Sequence, residues 1–417
     1  MAESSTATSD RPARGLLRDT NFRRWYLARS ISYAGTAATA VALPMLAYQQ
    51  SGSAALTGAV AAAEALPYLL FGLPAGAVAD RSSRLRLMII AELLAATLVL
   101  SAPVAHAFGH LNDLHIVGVA AAIGTAFCWF DAAAWGALTR VAGRDRLVEA
   151  NSLIWATATV TGIAVPAVAG VAATVWSPAQ VLIVDALSYL ASIVLLRRIG
   201  GGLEPDEPRR DGHSLRSDIV AGLSYLWRQP VIRTLSLTGF CLSTTAGGTL
   251  ALLVVHAREQ LGLDTGDRRV GLLYTAAAVG ALLSALALPR LSRAVGVGRL
   301  SIAGYLMFLL AVLALAGTEQ VWAALLLWAA CDFASATAIT NGITVRQQLT
   351  PDHLQGRVNT TGRMIAWGGT PVGAALGGLI ADTHGVATAY ALLAAPVALG
   401  LGILLFSPVR RLGHIDL

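Results

Sequence analysis

Twelve long apolar runs constrain this chain more than any other feature. Each holds ~20 residues with few charges, the length an α-helix needs to cross the hydrocarbon core of a bilayer. They fall at about 25–48, 54–79, 85–107, 114–138, 148–174 and 178–197, then at about 231–256, 269–289, 299–317, 320–345, 359–381 and 386–407. Composition agrees with this reading. The 417 residues are 55% hydrophobic and only 13% charged, about half the charged share of a soluble domain. Water-soluble cores cannot hide that much apolar side chain, whereas lipid is a solvent for it. The expected fold is an all-α membrane protein with twelve transmembrane helices.

A polar stretch near the middle, 198–229, divides the runs into six and six. The expected organisation is a cytoplasmic tail at 1–21, a six-helix bundle at 22–199, a cytoplasmic linker at 200–229, and a second six-helix bundle with a short tail at 230–417. Within the linker, Leu215, Ile219, Leu223 and Leu226 recur at helical spacing. That spacing predicts an amphipathic helix from about Ser214 to Arg228, lying on the membrane face. Two such halves read as an internal repeat enclosing a central site, the pattern of a transporter. Orientation follows from arginine. Loops on one side hold Arg81, Arg84 and Arg86, Arg140 to Arg146, Arg290 to Arg299, and Arg346, Arg357 and Arg363. The other side holds only Arg258, Arg268 and Arg269. Positive loops stay inside, so both termini are expected in the cytoplasm of a multi-pass protein.

Composition also excludes chemistry. The chain contains no lysine, so it has neither a phosphate-binding G-x-x-x-x-G-K-[ST] loop nor a Schiff-base lysine. ATP-driven transport by this chain alone is not expected. The net charge of +6 reads as a topology signal, not as a nucleic-acid surface. Cys128, Cys241 and Cys331 lie inside apolar runs and read as small buried hydrophobes. His106, His110, Asp113 and His115 cluster in one outer loop without a convincing second shell, so no metal or cofactor is expected.

Five acids fall inside the apolar runs, away from their ends: Glu64, Glu92, Asp131, Asp185 and Asp332. A charge centred in a span costs ~2.5–3.5 kcal/mol on insertion scales, so each asks for a reason. Phe127 and Trp135 stand one turn either side of Asp131, and Trp328 one turn before Asp332. Acids beside aromatics suit an amphipathic or cationic guest. Asn341 and Trp367 add polar and aromatic groups to a candidate pocket. The alternative for every one of these residues is a hydrogen bond or contact that only fixes helix packing.

The loop GAVADRSSRLR, Gly76 to Arg86, resembles the G-x-x-x-D-R-x-G-R signature of the major facilitator superfamily. Gly76, Asp80, Arg81 and Arg84 match, and Ser83 replaces the usual glycine. DRLVEANSL at 145–153, DALSYLASIVLL at 185–196 and LTPDHLQGRVN at 349–359 look like the drug:proton antiporter branch with its macrolide and enterobactin exporters. The resemblance implies two six-helix bundles and alternating access. It implies export of small amphipathic molecules across the inner membrane by proton antiport, with protons and the lipid bilayer as the other partners and a monomer as the working unit. Gly76, Asp80, Arg81, Arg84 and Arg86 would form a conformational latch. Spans two, four and ten would line the cavity, favouring Glu64, Asp131 and Asp332 as proton carriers over Glu92 and Asp185. A lipid or metabolite transporter of the same fold is an alternative. A polytopic membrane enzyme is another, though the chain shows no HExxH and no nucleophile elbow.

Overall fold

The computed structural model describes residues 15–79, 81–143, 146–200, 223–264, 267–351 and 355–413, and among these it is built of helices and short connections. The first half comprises α1 (Thr20–Ser51), α2 (Ala54–Ala79), α3 (Arg84–Ala107), α4 (Asp113–Ala142), α5 (Leu147–Val175) and α6 (Pro178–Arg197). The second comprises α7 (Pro230–Ala251), α8 (Leu253–Glu259), α9 (Arg268–Val295), α10 (Val297–Ala316) and α11 (Val321–Leu349). It ends with α12 (Gln355–Trp367), α13 (Gly369–His384) and α14 (Val386–Phe406). Among the described residues eleven helical stretches are long and apolar enough to cross a membrane, and the pair α7–α8, bent by 48°, brings the number to twelve when taken as one span. The span expected at 231–256 is therefore broken at Leu252, with no proline or glycine at the break.

Local chemistry sets the helix ends. Asp19 caps α1 by accepting from the backbone N–H groups of Asn21 and Phe22. Asn112 caps α4 through His115 N–H, and Ser177 caps α6, with Pro178 in its first turn. These are the side chains that satisfy orphan N–H groups best. Gly52 closes α1 with φ of 66°, a left-handed conformation that glycine adopts without penalty.

In the first half α1 packs on α6 and α5, α4 on α2 and α3, and α3 on α6. The second half repeats the scheme with α7 on α13 and α14, α11 on α9 and α10, and α10 on α14. The halves meet along two helix pairs, α2 with α13 and α5 with α9. Large side chains such as Ile90, Leu93, Val184, Leu187 and Leu310 point outward, as lipid-facing residues do.

One face of the bundle carries both ends of the described chain, near Leu16 and Leu412. There Leu16 N–H donates to Glu149 Oε1, and Gly298 N–H donates to the Leu412 carbonyl. The opposite face carries the α1–α2 turn, α8 and the end of α13. Of the expected linker helix, residues 223–228 are helical, with Leu226 buried against Ile232 and Val358. Its start at Ser214, like the tail at 1–14, lies outside the described residues.

A candidate transport cavity between the halves

Toward the face that carries the termini, the halves part and leave a cavity of about 690 Å³ including its mouth. Its first-half wall comes from α1, α2, α4 and α5, and its second-half wall from α12. Aromatic rings dominate. Tyr33 meets Phe127 at 6.4 Å between centroids, Trp135 meets Trp155 at 6.2 Å, and Tyr68 meets Trp367 at 5.9 Å. The last pair joins the two halves.

The polar groups are few. Arg29 Nη2 on α1 donates to Asp131 Oδ1 on α4 at 2.9 Å, with both side chains largely buried (15% and 14% exposed). The same guanidinium lies 4.7 Å from the Trp135 ring centroid, a cation–π distance. Arg363 on α12 donates to the Tyr68 hydroxyl on α2 and lies 5.4 Å from the Tyr68 ring and 5.8 Å from the Trp367 ring.

Three expected cavity residues, Phe127, Trp135 and Trp367, line this space together with Asp131. Two do not. Trp328 is 1% exposed and packs between His256 of α8, at 6.5 Å, and Tyr390 of α14, at 6.4 Å. Asn341 is 2% exposed, and its Nδ2 donates at 2.8 Å to both the Val297 carbonyl and Ser301 Oγ, tying α11 to α10. A buried indole held between two rings and a buried amide that donates to a neighbouring helix serve helix packing.

Arg346 and Arg363 correct the sequence reading in another way. Both are counted with the inner-loop arginines, although Arg363 also falls in the run at 359–381, and both lie inside helices: Arg346 is 5% exposed within α11, and Arg363 faces the cavity. Arg29, the partner of Asp131, escapes the sequence reading because an averaged hydropathy run absorbs a single charge. An arginine inside an apolar run carries the same insertion cost as an acid, and that signal could have found it.

The remaining acids separate by surroundings. Asp185 is fully buried, accepts from Thr39 on α1 and from Ser188 at 3.2 Å, and sits over Gly35. Glu92 accepts from Ser192 Oγ at 2.9 Å. These two carboxylates bind α6 to α1 and α3. Glu64 on α2 and Asp332 on α11 are half-buried, with no hydrogen bond or ion pair to their carboxylates among the described residues. At the start of α3, Arg84 Nε donates to the Ala79 carbonyl at 3.4 Å and packs on Gly136 of α4. Arg81 and Arg86 are exposed, and Asp80 lies outside the described residues.

The far end is sealed. A Cβ on Gly58 of α2 would meet the Ala374 carbonyl and fall 2.8 Å from Gly378 Cα on α13. A Cβ on Gly271 of α9 would fall 2.7 Å from the backbone nitrogen of Val171 on α5. Glycine permits such helix contacts. Polar links accompany them: Tyr48 donates to Glu259 Oε1 at 3.1 Å, and Ser53 Oγ to Asp382 Oδ1 at 3.0 Å. A cavity closed at one end and parted at the other is one of the two states of an alternating-access machine.

Known proteins share this architecture. A nucleoside transporter, NupG, superposes with a TM-score of 0.73 at 12% identity, covering 92% of this chain and 98% of that one. A bacterial homologue of the human lysosomal transporter Spinster, in an inward-facing and occupied conformation, gives 0.75 at 14% identity over 96% and 98%. In sequence, the multidrug efflux pump Tap of Mycolicibacterium fortuitum is 29% identical over 393 residues, 92% of this chain and 94% of that protein. The family model described as transmembrane secretion effector matches residues 13–417, and the chain belongs to that family of major facilitator transporters.

Proposed function

We propose that this chain exports small amphipathic molecules from the cytoplasm by proton antiport, working as a monomer. One observation carries the reading: an aromatic cavity between two helical halves, parted toward the termini and sealed at the other end. The likeness to an efflux pump across nearly the whole chain supports the direction. Arginine-rich loops support a cytoplasmic placement of the face that carries the termini.

The proton carriers are Glu64 and Asp332 ahead of Asp131. Arg29 already neutralises Asp131. A proton on Glu64 or Asp332 would neutralise a charge that no described residue balances, in a setting where unbalanced charge is expensive. Asp131 instead holds Arg29 in place beside Trp135. The loop from Gly76 to Arg86, Asp80 included, acts as the latch between states, with Arg84 already docked on α4.

Everted membrane vesicles with a pH-sensitive dye test the proposal. Adding a panel of amphipathic drugs to energised vesicles should move protons out of the lumen, and an uncoupler should abolish the response. Glu64→Gln or Asp332→Asn should remove this proton movement while leaving drug binding intact. Asp131→Asn should alter drug binding first. Absence of any drug-dependent proton movement, with the protein present in the membrane, would refute antiport.

A further inference from the structure

We infer that the cavity recognises aromatic anions: small molecules that join a ring system to a carboxylate, sulfonate or phosphate. This deepens the proposed function, since it takes the cavity to be the substrate site. It begins with a charge inventory. The cavity lining carries two guanidinium groups, Arg29 and Arg363, and one carboxylate, Asp131. Asp131 pairs with Arg29. Arg363 is left with neutral partners, the Tyr68 hydroxyl and the rings of Tyr68 and Trp367. No carboxylate among the described residues forms an ion pair with it. Arg346 of α11 lies behind this helix, with its Nη1 2.8 Å from the Cβ position of Gly362.

A guanidinium offers five N–H donors in a planar fork. Tyr68 takes one, and a carboxylate or sulfonate fits the geometry of the rest. The aromatic walls supply the other half of the recognition. A cationic guest finds poor terms here. The acid it would seek already has its counter-ion, and the faces of Trp135, Tyr68 and Trp367 already hold arginines. Acidic and aromatic neighbours at helical spacing point toward cations in the sequence. The arginine that meets them from another helix reverses that preference.

The test is a titration of the full-length protein in phosphatidylcholine nanodiscs, read as energy transfer from tryptophan to dansyl. Three probes share one fluorophore: dansylglycine is an anion, dansylglycinamide is neutral and dansylcadaverine is a cation. Dansylglycine should bind about tenfold more tightly than dansylglycinamide, the worth of one hydrogen-bonded charge. Arg363→Gln should erase that ratio, and Arg363→Lys should keep part of it. Asp131→Asn, which releases Arg29, should tighten dansylglycine several-fold, a gain that misfolding cannot produce. Equal binding of the three probes, no binding, tightest binding of dansylcadaverine, or a ratio untouched by Arg363→Gln would each overturn the inference. The titration needs no gradient. Anion preference without transport in vesicles would sink the exporter reading alone, and transport without anion preference would sink this inference alone.

Discussion

The two ends of α2 use the same residue type in opposite ways. Near its start, Gly58 touches α13 so closely that no side chain fits. Near its end, Gly72 and Gly76 face open space, with nothing within 4 Å of a Cβ at either position. The second cross-half pair agrees with the sealed end: Gly271 is pressed on Val171, and a Cβ on Gly170 would fall 3.1 Å from the Tyr274 ring. The seal is thus made of absent side chains, which let backbones of opposite halves approach. A machine that rocks needs a matching close contact at the other end in its other state. Gly72 and Gly76 are smooth where this state asks nothing of them.

The largest expected effect is from Gly58→Val. The added methyls have no room, and overpacking costs ~1–3 kcal/mol, enough to shift a two-state balance by roughly 5- to 150-fold. Thr57, beside it, is fully buried. A cysteine introduced there, in a variant lacking the native cysteines, should become reactive to an impermeant maleimide when Gly58 is valine, and efflux should collapse. An unreactive cysteine with normal efflux would mean that the seal does not depend on this contact. The converse pair, Gly72→Val with Gly76→Val, should leave that cysteine protected and thermal stability unchanged, because the methyls enter empty space here. Efflux should still fall, since the state that closes this end becomes overpacked. Full-rate efflux would show that α2 makes no close contact there in any state.

The spans are legible in the sequence because a run of ~20 apolar residues matches the thickness of a bilayer and exceeds what a strand or a short core helix uses. The break in the seventh is not, since neither Leu252 nor Leu253 signals a bend. Phe127, Asp131 and Trp135 are legible as one group because helical spacing places i and i+4 side by side. Arg29 lies 102 residues from Asp131, and no local pattern reports such a partner. Arg346 and Arg363 show the limit of counting charges. Their positions in the chain suggest a loop, whereas one is buried in α11 and the other holds Tyr68 across the cavity. Trp328 and Asn341 fit the spacing of a pocket face, yet their partners on α8, α14 and α10 make them packing residues. Spacing along a helix tells which residues share a face. It does not tell what that face meets.

The smallest effect should come from the polar trim of the sealed end. Asp267 caps α9 there, accepting from Arg269 N–H at 2.8 Å and pairing with its guanidinium at 2.6 Å. These contacts, side chain first, hold its carboxyl below the usual aspartate range. A depressed carboxylate stabilises the fold above its ordinary unfolded pKa and loses that contribution as pH falls through the folded value. Losing a cap costs about 1 kcal/mol, and an exposed ion pair adds little to it. Asp267→Ala should therefore lower the melting temperature slightly at neutral pH, converge with wild type in acid, and leave efflux nearly intact. The Gly58→Val defect, being steric, should persist across the same pH range. Should Asp267→Ala open the far end as widely as Gly58→Val, as read by the same cysteine at position 57, then the order of the first turn of α9, and not missing side chains alone, keeps that end closed.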